Sequence, residues 1–173
     1  LRKSREAAAE TKAAIIASAT TAFKRNGFTG IGMADLMARQ GLTHAAAYRH
    51  FRNKNALAAT CLQHATAASV ARTARAKTLK TWKTRYLAPD RVEDPAAGCA
   101  FAALAVDVAR AQDPTLHHTF TEGLTALAKS LATATEIPND EALRQIAQAA
   151  GALILMRAAP TLAATLRTAC LNS

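Results

Sequence analysis

"GLTHAAAYRHFRNKNAL", residues 41–57, is the stretch on which the reading of the fold turns. Gly41 supplies the backbone freedom that a tight turn needs, and Thr43 is a good cap for a following helix. That helix is expected to run to about His50. Another begins near Asn53, with Leu57, Cys61 and Leu62 at helical spacing. Upstream, Met33, Leu36 and Met37 mark a short helix ending at Gly41. Before it, Ile15, Ile16, Ala19, Ala22 and Phe23 set a first helix over about 5–26, stopped by Gly27. Two short helices joined through a glycine turn make a helix-turn-helix.

Proline punctuates the rest. Asp94-Pro95 and Asp113-Pro114 both read as cap-then-first-turn pairs that start helices, Pro138-Asn139 starts another, and Pro160 interrupts the last. No period-two alternation is long enough for a strand. The expected fold is all-α, about nine helices: an N-terminal helix-turn-helix module at residues 1–55, then a helical domain at 56–173.

Composition agrees. Half of the 173 residues are apolar and alanine is abundant, which favours helices and allows a sizeable core. The net charge of +10 is uneven. Residues 1–55 carry ten Lys/Arg against three acids, and residues 56–173 twelve against nine. A basic front end suggests a polyanion partner, and a solvated basic surface is the plainer alternative. Six of the later cations, from Arg72 to Arg85, lie in one run without an acid around Trp82. The run reads as a solvated helix face with Trp82 inward; an anionic or aromatic ligand is the sharper reading.

Cys61, Cys99 and Cys170 are odd in number and form no CxxC pair, which fits a reducing, cytoplasmic setting. The opening, "LRKSREAAAETK", is too polar for a signal peptide, and with Leu1 rather than Met first, a short leading tail is expected to be missing. "AAGALILM" at 149–156 is too short to span a bilayer. Enzyme motifs fail: there is no GxSxG, HExxH or P-loop, and the glycines of "GFTGIG" have the wrong spacing for a dinucleotide turn. No catalytic residue, cofactor or metal is expected. Adjacent His117 and His118 diverge by about 100° on a helix, which suits shared ligation poorly.

A helix-turn-helix places the start of its second helix at base edges in the DNA major groove. Thr43, His44 and Ala45 hold that end. Tyr48, Arg49 and Lys54 can reach phosphates, and His50 is either a phosphate contact or a packing residue. Phe51 reads as core.

Residues 12–57 resemble the DNA-binding domain of the TetR family of transcriptional regulators. The resemblance rests on Phe23, Gly27-Phe28, Asp35-Leu36, Gly41-Leu42-Thr43, Tyr48-Arg49-His50-Phe51 and Lys54. It extends more loosely to "GCAFAALAVDVAR" at 98–110. Two departures stand out. Ala47 replaces a large apolar anchor of the reading helix, and Ile31-Gly32 replace a hydroxyl residue before the second helix.

The resemblance implies a homodimeric repressor on a palindromic double-stranded DNA operator, released by a small-molecule inducer of unknown identity and not associated with membrane. It implies an inducer pocket among the middle helices, with Trp82, Tyr86, Cys99, Phe101, Leu104, His117, Phe120, Leu124 and Met156 as candidate walls. Composition alone suggests a mostly apolar inducer. A dimer bundle is expected from helices near 114–134 and 139–158, through Leu143, Ile146, Ala147, Ala150, Gly151 and Ile154. Cys99 reads first as a small buried apolar residue. A thiol sensor or small helical enzyme using Cys99, and a basic membrane-surface module, are the alternatives.

Overall fold

The computed structural model describes residues 2–43, 45 and 48–173, with side chains from residue 6 onward. Among the described residues there are nine α-helices and no strand. Helix α1 spans Arg2–Asn26 and buries Ile15, Ala19, Ala22 and Phe23, one helical face. It stops where Gly27 takes a left-handed φ of 72°. Phe28 then folds its ring edge-on to Phe23, with centroids 5.3 Å apart.

Helix α2, Met33–Ala38, buries Met33, Leu36 and Met37. Gly32 caps it without a side-chain hydrogen bond, the structural counterpart of the missing hydroxyl. The helix closes in a Schellman motif. Leu42 N–H bonds the Met37 carbonyl at 3.0 Å, Gly41 N–H bonds that of Ala38 at 3.0 Å, and Gly41 is left-handed at φ 64°. Ala45 and Tyr48 are helical, as the expected reading helix requires. His44 and the anchor position Ala47 lie outside the described residues.

Helix α3, Lys54–Thr73, is capped by Asn53, whose side chain accepts from Ala56 N–H at 2.8 Å. Its first half packs on α1 through Leu57, Ala58, Cys61 and Leu62. Its second half lies along α7, Pro114–Thr135. At the crossing Gly123 faces Thr66 so closely that a Cβ on Gly123 would stand 2.8 Å from the threonine side chain.

The basic run is not one helix. It breaks after Thr73 and resumes as α4, Leu79–Tyr86, which opens on a reciprocal Thr78–Thr81 capping box. Trp82 does face inward. Lys83 is buried as well, donating to the Ser173 carbonyl at 2.6 Å. Helix α5 is short, Pro89–Glu93.

The Asp94-Pro95 helix start is corrected. Residues 95–97 form a turn, and the next helix, α6, begins only at Ala100 and runs to Arg110. Asp94 does accept from Ala96 N–H at 2.9 Å, but both its oxygens also take Arg25. The cap is thereby tied sideways to α1. Asp113-Pro114 does start α7, with Asp113 accepting from Thr115 N–H at 2.9 Å. Helix α8 spans Asn139–Ala158, a 3-10 turn follows at Pro160–Leu162, and α9 is Ala163–Leu171.

Two cores result. One joins α1, α2 and the first half of α3 to Leu104, Val108 and Leu116. The other gathers Trp82, Tyr86, Phe101, Leu127, Leu131, Ile146, Leu153 and Met156. The N-terminal core therefore reaches past residue 55, to Leu62 on α3.

Candidate nucleic-acid interface and ligand cleft

The basic end carries the residues expected to meet DNA. Thr43, Ala45, Tyr48 and Arg49 are exposed, Tyr48 by 52 %, while His50 and Lys54 are half-buried. His44, the remaining expected base reader, lies outside the described residues. Phe51 is core, with the Lys12 amine 5.6 Å above its ring. Lys54 stands in the first turn of α3, where unpaired helix amides add to its charge.

Four polar contacts fasten this module to the helices behind it. Phe28 N–H donates to Asp107 on α6 at 2.8 Å. Asn55 donates to Asp113 at 3.0 Å. Arg25 grips Asp94 with two bonds of 2.9 and 2.7 Å, which holds the Asp94 carboxyl well below its usual range. The Lys24 amine, on a side chain only 8 % exposed, donates to the carbonyls of Ala96 and Gly98, the latter at 2.7 Å. Burial, and next the Arg72 charge, push the Lys24 pKa down to about 8.

The segment held by Lys24 ends at Cys99, which lines a cavity of about 220 Å³. Trp82, Tyr86 and Cys99 are the expected wall residues that meet there. The remaining lining is Ser69, Arg72, Thr73, Arg75, Ala76, Arg85, Arg91 and Leu127. The other expected wall residues lie elsewhere. Phe101 and Phe120 pack edge-on at 5.1 Å. Leu104 belongs to the N-terminal core and Leu124 packs on the second one. His117 is exposed, its ring 2.8 Å from the Ala111 carbonyl. Met156 is buried in the second core and borders a separate depression beside Val92.

Sequence did carry a signal for the missed arginines Arg72, Arg75 and Arg85: an acid-free basic run around the single tryptophan. For Arg91 there was none, because α5 reaches the cleft only through the tertiary fold.

On α8, Leu143, Ala147 and Ile154 are exposed, and Ala150 and Gly151 are half-buried. Ile146 is placed otherwise than expected. It is 3 % exposed and packs in the second core. Leu155 and Leu162, not singled out from sequence, add to the exposed apolar surface. Among the described residues no group of three His, Cys, Asp or Glu could hold a metal ion. No described helix is long and apolar enough to cross a membrane.

Residues 15–61 match the family described as bacterial regulatory proteins, tetR family. No curated protein matches the chain. Among solved structures, the reduced form of Escherichia coli NemR superposes with a TM-score of 0.80 at 17 % identity, covering 94 % of each chain. A TetR-family transcriptional regulator from Cytophaga hutchinsonii gives 0.76 at 21 % identity, over 95 % of this chain and 93 % of that one. A TetR transcriptional regulator from Chloroflexus aurantiacus J-10-FL gives 0.75 at 21 % identity, over 99 % and 96 %. Residues 15–61 thus match the tetR family of bacterial regulatory proteins, and over nearly its whole length the chain shares the fold of solved TetR-family transcriptional regulators.

Proposed function

We propose that the protein is a cytoplasmic, one-component repressor that binds a palindromic operator as a homodimer and leaves it when a small molecule occupies the cleft. Residues 1–55 read DNA, and residues 56–173 dimerise and sense the ligand. No catalytic activity is assigned. The observation that carries the reading is α3, one continuous helix from Lys54 at the reading face to Arg72 and Thr73 in the cleft wall. One helix-turn-helix makes few base contacts, so two act together. The exposed apolar stripe of α8 supports pairing of two copies. Release requires the ligand to favour a spacing of the two reading heads that does not fit DNA. A difference of about 1–3 kcal/mol between the two states changes affinity roughly 5–150-fold.

Selection of bound sites from random duplex DNA tests this. The expected product is an inverted repeat with half-sites about one helical turn apart. Recovery of unpaired half-sites, or of no preferred sequence, would sink the palindromic reading. Lys54→Ala should weaken binding to all sequences alike and lower the salt slope by about one. Thr43→Ala and His44→Ala should relax preference at one or two positions, by about 1–3 kcal/mol per lost contact. Altered sequence preference in Lys54→Ala at an unchanged salt slope would remove Lys54 from the phosphate contacts.

A further inference from the structure

We propose that the cleft binds a small aryl carboxylate: one ring against Trp82 and Leu127, with its carboxylate held by Arg72, Arg91 and the Tyr86 hydroxyl. This deepens the regulator reading by naming the ligand class, and it rests on that reading only for the consequence of binding. Four arginines from three helices and a loop converge on the lining, which contains no Asp or Glu. Asp94, whose charge acts on the neighbouring Arg157 and Lys24, is taken up by Arg25. Burial and then the charge of Arg91 lower the Arg72 pKa, so these guanidiniums oppose one another. Arg72 keeps part of its surface in solvent, and its single side-chain bond is to Ser69 at 3.2 Å. Its planar fork is therefore available to a carboxylate, the geometry guanidinium matches best.

Tyr86 is the second and independent observation. Its hydroxyl is buried without a well-formed hydrogen bond, and the Cys99 thiol and the charges of Arg157 and Arg91 act on it. Burial, and then Cys99, raise its pKa far above the ordinary range, so it remains a proton donor. A buried hydroxyl without a partner is unfavourable, and native proteins rarely leave one. Arg91 acts electrostatically on both Tyr86 and Arg72. All three donors line the one cleft, and a carboxylate bound there would satisfy them.

The rest of the cleft fixes the body of the ligand. Trp82 gives its indole N–H to Thr73 at 3.1 Å, which leaves only an apolar ring face for a ligand. Leu127 and Ala76 extend that surface. A volume of about 220 Å³ lies below the ~300–1,000 Å³ of pockets for drug-sized molecules. A single ring with one acidic group is the size that fits. The mostly apolar inducer suggested by composition does not match these walls.

Trp82 is the only tryptophan in the chain, so its emission reports on the cleft. Benzoate, benzamide and inorganic phosphate are titrated into the full chain without DNA. Benzoate is expected to change the emission saturably, with benzamide and phosphate about tenfold weaker or worse. Arg72→Gln and Tyr86→Phe should each weaken benzoate about tenfold while melting as the parent does. Should Arg72→Gln fail to fold, Arg91→Gln on α5 serves in its place with the same expectation. Equal binding of benzamide, equal binding of phosphate, unchanged affinity in the folded variants, or no saturation by about 10 mM benzoate would each overturn the assignment. DNA binding is scored separately on ligand-free protein. Benzoate binding without duplex binding would overturn the regulator reading alone, and duplex binding without benzoate binding the cleft assignment alone.

Discussion

Lys24 shows what the fold asks of a single residue. An amine that would titrate near 10.5 in the unfolded chain is held at about 8 in the native one. Between those values the unfolded chain binds the extra proton, so stability should rise with pH from about 8 to about 10.5 and be level below 8. The neutral amine still donates to Ala96 and Gly98, so the anchor survives deprotonation. Urea unfolding of the parent and of Lys24→Met across that range checks this: the rise should be missing in the variant. A parallel pH dependence in the two proteins would show that Lys24 titrates normally. At this scale the exposure of Thr43 and Tyr48 beside the turn was legible, because they sit at fixed offsets from Gly41. The cleft was only half legible. Arg91 and Leu127 reach it through contacts between helices far apart in sequence, which no local pattern records.

Among elements, the junction between α1 and α6 is the most constrained. Gly27 is left-handed, and a Cβ there would stand 2.6 Å from an Asp107 carboxylate oxygen, the group that accepts from Phe28 N–H. Gly27→Ala should therefore incur both backbone strain of about 1–2 kcal/mol and loss of a charged hydrogen bond of about 1.5–3 kcal/mol. Asp107→Ala should lose only the second. Denaturant midpoints compare them, and an equal loss in the two variants would mean that Gly27 carries no strain of its own. Helix existence was easy to read here, since apolar spacing and caps act locally. The Asp-Pro pairs show the limit. Asp94 and Asp113 make the same contact with the amide two residues on. Only Asp94 is also gripped by an arginine 69 residues away, and there the chain turns instead of starting a helix.

At the level of the molecule, the proposed dimer would pair through α8. Beyond its chain neighbours and its own helix backbone, no described atom lies within 4 Å of a Cβ built on Gly151, so packing within the chain does not account for that glycine. A glycine inside a helix costs about 1 kcal/mol relative to alanine. Close approach of a second copy would offset it. Gly151→Leu should stay helical with little change in subunit stability, shift toward monomer in sedimentation, and lose operator affinity with dimerisation. A variant that remains dimeric with native DNA affinity would take α8 out of the interface. The stripe through Leu143, Ala147 and Gly151 was legible as helical spacing. That Ile146 turns inward was not, because it lies only one residue from Ala147 and apolar character alone does not tell the two faces apart.

The contact of Gly123 with Thr66 gives α3 a fulcrum. From Thr66 the helix extends six residues to Arg72, about 9 Å, and twelve residues to Lys54, about 18 Å. A rigid rod pivoting there has arms near one to two. A shift of about 1 Å at the cleft would swing the DNA end about 2 Å the opposite way. Spin labels at Asn55 and Ala71 measure that ratio directly: on ligand binding the first should travel about twice as far as the second, in the reverse sense. Equal displacements in one direction would mean that the helix slides past α7 without pivoting.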